Sequence, residues 1–141
     1  MGKAINATGQ IIDLPNVSDA DRSAAASRMC ARRLPGYISD AADRLRDGGI
    51  TVSGIPVGTD TRAIALLTGA HDYMAANPAA SVQWVMSSTQ AVTLNKAQVD
   101  AMWAAVTGFI QATYAAEANA NASAKSFAEA DAIFAAVQRV F

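Results

Sequence analysis

One cysteine, Cys30, is all the thiol chemistry the chain holds. No internal disulfide can form, which fits a reduced compartment. There is also one histidine, His71, and one histidine with one cysteine cannot make a zinc site by themselves. Aromatic residues are 6% of the chain, so large core side chains are few. No stretch approaches the roughly 18 apolar residues of a membrane helix. The start, MGKAINATGQIIDLP, has no apolar run of the length a signal peptide needs. Neither charge sign dominates: 11 basic residues face 12 acidic ones, net −1. That balance argues against nucleic acid and against anionic membrane surfaces as partners, since both are held through basic faces.

What the chain has in quantity is alanine. The hydrophobic fraction is 52% over 141 residues, but alanine buries little area. One domain is expected, with a core that is thin or completed by other subunits.

Residues 1–16 show little periodicity. Gln10-Ile11-Ile12-Asp13-Leu14 reads as a short strand stopped by Pro15, and the segment as a flexible terminal arm; the functional alternative is an arm that docks on a neighbouring subunit, with Ile11, Ile12 and Leu14 as its anchors. A helical segment follows over 17–47. Ser18-Asp19-Ala20-Asp21 is a variant capping box, and the helix it opens is expected to end near Arg33, before Pro35-Gly36. A second helix is expected from Tyr37 to Arg46, closed by Gly48-Gly49. Arg28, Arg32, Arg33, Arg44 and Arg46 read as solvated faces offset by aspartates.

Residues 48–141 form the α+β part. Ile50-Thr51-Val52-Ser53-Gly54-Ile55-Pro56-Val57 alternates on both sides of a Ser-Gly turn, the pattern of a hairpin, with Pro56 marking an edge strand. Thr59 or Asp60 caps a helix through about Ala76, and Gly69 within it suggests a close helix–strand contact. Val82, Trp84 and Met86 share one face of a second hairpin that returns at Ala91–Leu94, and Trp84 reads as the main core anchor. Asn95-Lys96-Ala97-Gln98 is a capping box for a long helix whose stripe includes Val99, Met102, Trp103, Val106, Phe109, Ile110, Thr113 and Tyr114. The stripe fades at Glu117, and 117–125 reads as frayed. Ser126 caps a last helix with Phe127, Phe134 and Phe141 as a second contact surface. The fold class is therefore α+β, mostly helical, with two short hairpins packed against a long helix.

No catalytic constellation stands out. His71 has no ligand partner at metal spacing, Asp72 beside it faces elsewhere on the helix, and Cys30 reads as a packed small side chain. The glycines at 48, 49, 54, 58 and 69 form no phosphate loop. Neither catalytic nor metal-binding residues nor a cofactor are expected, and the interface candidates are Ile11, Ile12, Leu14, Phe127, Phe134 and Phe141.

Residues 46–117 resemble an uncharacterised domain family found in bacteriophage and prophage tail-fibre proteins. The resemblance rests on RDGGITVSGIPV at 46–57, Thr59-Asp60, Leu-Thr-Gly-Ala at 67–70, Asn77-Pro78, Val-Gln-Trp at 82–84, Val-Thr-Leu at 92–94 and Gln-Ala-Thr-Tyr-Ala-Ala-Glu at 111–117. It implies a non-enzymatic tail structural protein, fibre-associated, made in the host cytoplasm and carried in the virion. Other tail or fibre proteins are the implied partners, with a homo-oligomer, a trimer by analogy, as the implied assembly. A tail-fibre assembly chaperone is the alternative. A glycan-active enzyme is a third reading, for which paired acids and an aromatic groove are wanting.

Overall fold

The computed structural model describes residues 18–141 in full, together with Thr8, Gly9 and the backbone of Lys3–Ile5 and Ile11–Asp13. Leu14 and the side chains of Ile11 and Ile12, the expected arm anchors, lie outside the described residues. The chain is α+β and mostly helical, with two short antiparallel hairpins packed against a long helix.

That long helix, here α3 (Lys96–Ser123), is the element on which the rest is built. Its buried residues are Val99, Met102, Val106, Phe109, Thr113, Ala116 and Ala120. They recur at alternating three- and four-residue intervals, which keeps one stripe facing inward over the whole length. Asn95 accepts a hydrogen bond from the Gln98 N–H at 3.0 Å while Gln98 accepts from the Asn95 N–H at 2.9 Å, a complete capping box. The expected fraying after Glu117 does not occur. The stripe continues as Ala116 and Ala120, small residues that look like a fade in sequence but allow close helix packing.

The helix before it, α1 (Asp19–Asp47), is also continuous, where a break at Pro35-Gly36 was expected. Pro35 removes one backbone donor and costs about 3 kcal/mol in a helix interior. Leu34 and Ile38 on either side are buried, along with Ala42 and Leu45. Their burial against α3 and α4 (Phe127–Gln138) offsets the cost. Residues 19–29 of α1 are all exposed and project beyond the packed body. Ser18 accepts from the Asp21 N–H at 3.1 Å and caps the projecting end.

Strands β3 (Ile50–Val52) and β4 (Ile55–Val57) pair antiparallel through Ser53 and Gly54, whose φ values of 50° and 80° make the turn left-handed at both central positions. Helix α2 (Thr61–Ala76) follows, capped by Asp60, which accepts from the Ala63 N–H at 2.7 Å. Strands β5 (Val82–Ser87) and β6 (Gln90–Leu94) form the second hairpin, with Trp84 opposite Val92 and a bulge between Val85 and Ser87. At the N-terminus β1 (Lys3–Ile5) and β2 (Ile11–Asp13) make a third antiparallel pair. Among the described residues these are three separate two-stranded sheets.

Two core clusters result, strung along α3. A helical lobe joins Leu34, Ile38, Ala42 and Leu45 to Phe109, Ala116, Ala120, Ala130 and Phe134. A hairpin lobe joins Val57, Leu67, Met74 and Leu94 to Val99, Met102 and Val106. Ile50 and Ile110 touch both. The largest fully buried side chain is Phe109. Trp84, expected as the main anchor, is half-buried at the edge of the hairpin lobe. Gly69 has no atom within 4 Å of where a Cβ would sit, so the expected close contact is absent and nothing in the structure explains that glycine.

Candidate functional site

The two hairpins do not hydrogen-bond to each other. Between them lies an open groove of about 750 Å³. Its walls are Ile50, Thr51, Pro56 and Val57 of the first hairpin and five consecutive residues of β5, Val82–Met86. Ala63, Leu66 and Ala70 of α2 line it as well. No β6 residue lines it, and β4 and β5 come within 8 Å of each other, Cα to Cα, without hydrogen-bonding. Alternation decides what each β5 residue does: Val82, Trp84 and Met86 are half-buried, while Gln83 and Val85 face outward. Leu66 and Val85 stand at the groove with 62% and 69% of their surface exposed.

Local chemistry fixes the backbone at the α1 end of the groove. Gly49 has φ +78°, and a Cβ there would lie 3.0 Å from the Val57 carbonyl oxygen. Only glycine meets both conditions without strain. The Gly49 N–H donates to the Thr59 hydroxyl at 2.8 Å, and Thr59 is 1% exposed. That bond ties the end of α1 to the start of α2 around the first hairpin.

The groove carries no ionisable side chain. Its polar side-chain atoms belong to Thr51, Gln83 and the Trp84 indole, and the Gln83 amide already donates to Thr93 at 2.8 Å. What the groove offers a ligand is apolar surface and the backbone donors and acceptors of a free strand edge. Those are the elements of recognition by strand addition.

His71 sits elsewhere, between α2 and α3. Its ring stacks on Trp103 with centroids 4.4 Å apart, and Nε2 lies 3.6 Å from Asp100 Oδ1. Asp72, expected to face away, brings Oδ1 to 3.5 Å from Nδ1. The other Asp100 oxygen accepts from Lys96 at 2.5 Å. This ties α2 to α3 and presents no nucleophile beside the ring. Among the described residues no group of three or more His, Cys, Asp or Glu side chains is placed to hold a metal ion. Cys30 is half-buried with Sγ 3.8 Å from the Lys125 carbonyl, against the α3–α4 link.

The three phenylalanines expected as a contact surface do not share one. Phe134 is 6% exposed and belongs to the helical core. Phe127 packs on Tyr37 at 4.5 Å between centroids, and Phe141 meets Phe109 edge-on at 5.5 Å. Each keeps just over a third of its surface exposed. The Tyr37 hydroxyl donates to Asp131 at 2.5 Å, and that carboxylate holds the phenol above its ordinary pKa of 10.0.

In sequence Arg46 reads as part of a solvated face. In the structure it pins α1 to α3, pairing with Glu117 at 2.7 Å and donating to Thr113 at 3.3 Å. It also pairs with Asp43 at 2.8 Å and lies 4.1 Å above the Tyr114 ring. The one signal in sequence was that Arg46 follows Leu45, at the flank of the apolar stripe, where a long side chain covers a neighbouring helix.

Residues 30–141 match the model of a family described as "Domain of unknown function (DUF4376)". The match spans most of the chain, which therefore belongs to that family. No curated protein matches the chain. No solved structure matches it. The family match begins at Cys30, the residue at which α1 leaves solvent and enters the packed body.

Proposed function

We propose that this member of the DUF4376 family is a non-enzymatic assembly protein of a bacteriophage tail, a fibre-associated adaptor that works through protein–protein contacts. The observation that carries the reading is the groove: about 750 Å³ of apolar surface beside an unpaired strand, without an ionisable group. Such a site binds an extended segment of another chain and has nothing with which to move a proton. The carboxylate pair that glycoside cleavage calls for is missing from it.

The tail assignment is supported by the resemblance of residues 46–117 to domains of tail-fibre proteins. In this reading the chain travels in the virion, is made in the host cytoplasm, and has other tail or fibre proteins as partners, in a homo-oligomer.

Mass spectrometry of purified particles of the encoding phage tests it, with copy number measured against the capsid protein. A small fixed multiple per tail is the expected result. Presence in the lysate bound to fibre protein, with none in particles, replaces the adaptor with an assembly chaperone. Absence from both overturns the tail reading.

A further inference from the structure

We propose that the exposed N-terminal part of α1 pairs antiparallel with the same segment of a second copy of this chain. The proposal specifies the homo-oligomer of the assembly role above and rests on that part of it.

One face runs the length of α1. From Leu34 onward it is covered, with Leu34, Ile38 and Leu45 buried against α3 and α4. Before Leu34 the steps of three and four residues continue through Ala31, Ser27, Ala24 and Ala20, the spacing of a helix that packs lengthwise on another. All four of these residues are exposed. The packed body stops beside Cys30, whose Sγ lies 3.8 Å from the Lys125 carbonyl. A helix in water draws most of its stability from a packed face. Here the pattern of that face continues past the body with nothing of its own chain against it, among the described residues.

The charges beside the face identify what covers it. Asp21 and Arg28 are seven residues apart and so lie on one flank, with Arg32 a turn further on. The opposite flank holds Ser23 and Cys30 next to the face. Among the described residues Arg28 and Arg32 make no ion pair, and the Asp21 carboxylate is met only by the Ser18 hydroxyl at 2.7 Å. Antiparallel helices set like flank against like flank, whereas parallel ones set opposite flanks together. Let Ala24 lie over the partner's Ser27, and Ala20 over the partner's Ala31. That register places Asp21 between the partner's Arg28 and Arg32. Two-fold symmetry repeats every contact, so one register matches both faces and both carboxylates. A parallel pair would set Asp21 and Arg28 against Ser23 and Cys30 and leave the charges unmatched. The segment is thus complementary to itself, in one direction only.

Small side chains let the two helices approach closely, as Ala42, Ala120 and Ala130 do in the helical lobe. The overlap runs from Ser18 to Arg33, about 24 Å of helix, because the body covers the face from Leu34. A contact of that length is small for a protein interface, so the dimer is reversible.

The test is sedimentation equilibrium of the purified full-length chain over a dilution series. Wild type is expected as a monomer–dimer equilibrium. Asp21→Arg and Arg28→Asp each set like charges opposite one another, and each is expected to weaken the dimer about tenfold. Their helical circular dichroism should match wild type, since both positions are exposed. Mixed together, the two variants restore opposite charges at both ends of the overlap and are expected to associate with wild-type affinity. A wild type that is monomeric at every concentration or forms a larger oligomer overturns the proposal. Wild-type affinity in either variant alone, or a mixture no tighter than its components, overturns it as well. A chain found in particles yet monomeric in solution sinks this inference alone. A dimeric chain absent from particles and from fibre complexes sinks the tail reading alone.

Discussion

The two ends of α3 are built on opposite terms. At its C-terminal end three helices close on one another with small residues: Ala42, Ala120 and Ala130 are each 0% exposed. Leu34, Ile38 and Leu45 of α1 pack there with Phe109 and Phe134, and the Arg46–Glu117 ion pair spans α1 and α3. At its N-terminal end the same helix supports two hairpins and α2, which meet α3 well but leave a gap between the hairpins. Alanine explains the contrast. Helices carrying small side chains approach closely. Hairpin strands of three to six residues turn one face inward each, and two such hairpins side by side do not pair edge to edge. A short chain with few aromatics thus fills one lobe with closely packed helices and leaves an open groove in the other.

Substitutions should separate the lobes by what they damage. The largest loss is expected from Phe134→Ala. It empties part of the helical core and should lower the free energy of unfolding by about 3–5 kcal/mol, read by chemical denaturation. Arg46→Ala comes next, at about 2–3 kcal/mol, because the partly buried Glu117 carboxylate loses its charged donor. A double-mutant cycle with Glu117→Gln should return a non-zero coupling energy if the ion pair carries the loss. Gly49→Ala, at the junction of the lobes, should cost about 1–2 kcal/mol through its left-handed backbone. Thermal unfolding would show it, and a neutral result would mean that the first hairpin shifts to make room. Leu66→Arg should change stability by no more than about 0.5 kcal/mol in the same denaturation measurement, as exposed positions do. Equal losses of stability from Phe134→Ala and Leu66→Arg would erase the distinction between a closed lobe and an open one.

The first hairpin was legible because alternation and a Ser-Gly turn both act over neighbouring residues. The caps at Ser18, Asp60, Asn95 and Ser126 were legible for the same reason, each spanning three residues. Misreadings arose where tertiary packing overrode a local signal. Pro35 is a helix breaker by itself but not between Leu34 and Ile38 when both are buried. Residues 117–123 lack large apolar side chains, yet Ala120 is fully buried, because what its position requires is smallness. Phe134 reads as a contact-surface residue in sequence because an apolar helix face does not say whether its partner is internal. The groove was not legible at all. It is a space between Val57 and Val82, set by how two hairpins lean on α2 and α3, and no short-range pattern encodes a gap.

The continuity of α1 through Pro35 makes the exposed residues 19–29 a stiff spacer rather than a tether. Eleven residues of helix extend about 16 Å. Because the turn is 3.6 residues, each residue inserted or removed shifts the end by about 1.5 Å and swings it by about 100°. The spacer therefore encodes a heading as well as a reach. A single alanine inserted near Ala25 would swing the Ser18 end of the helix about a quarter-turn, while an insertion of seven residues, close to two full turns, would nearly restore its direction at greater separation.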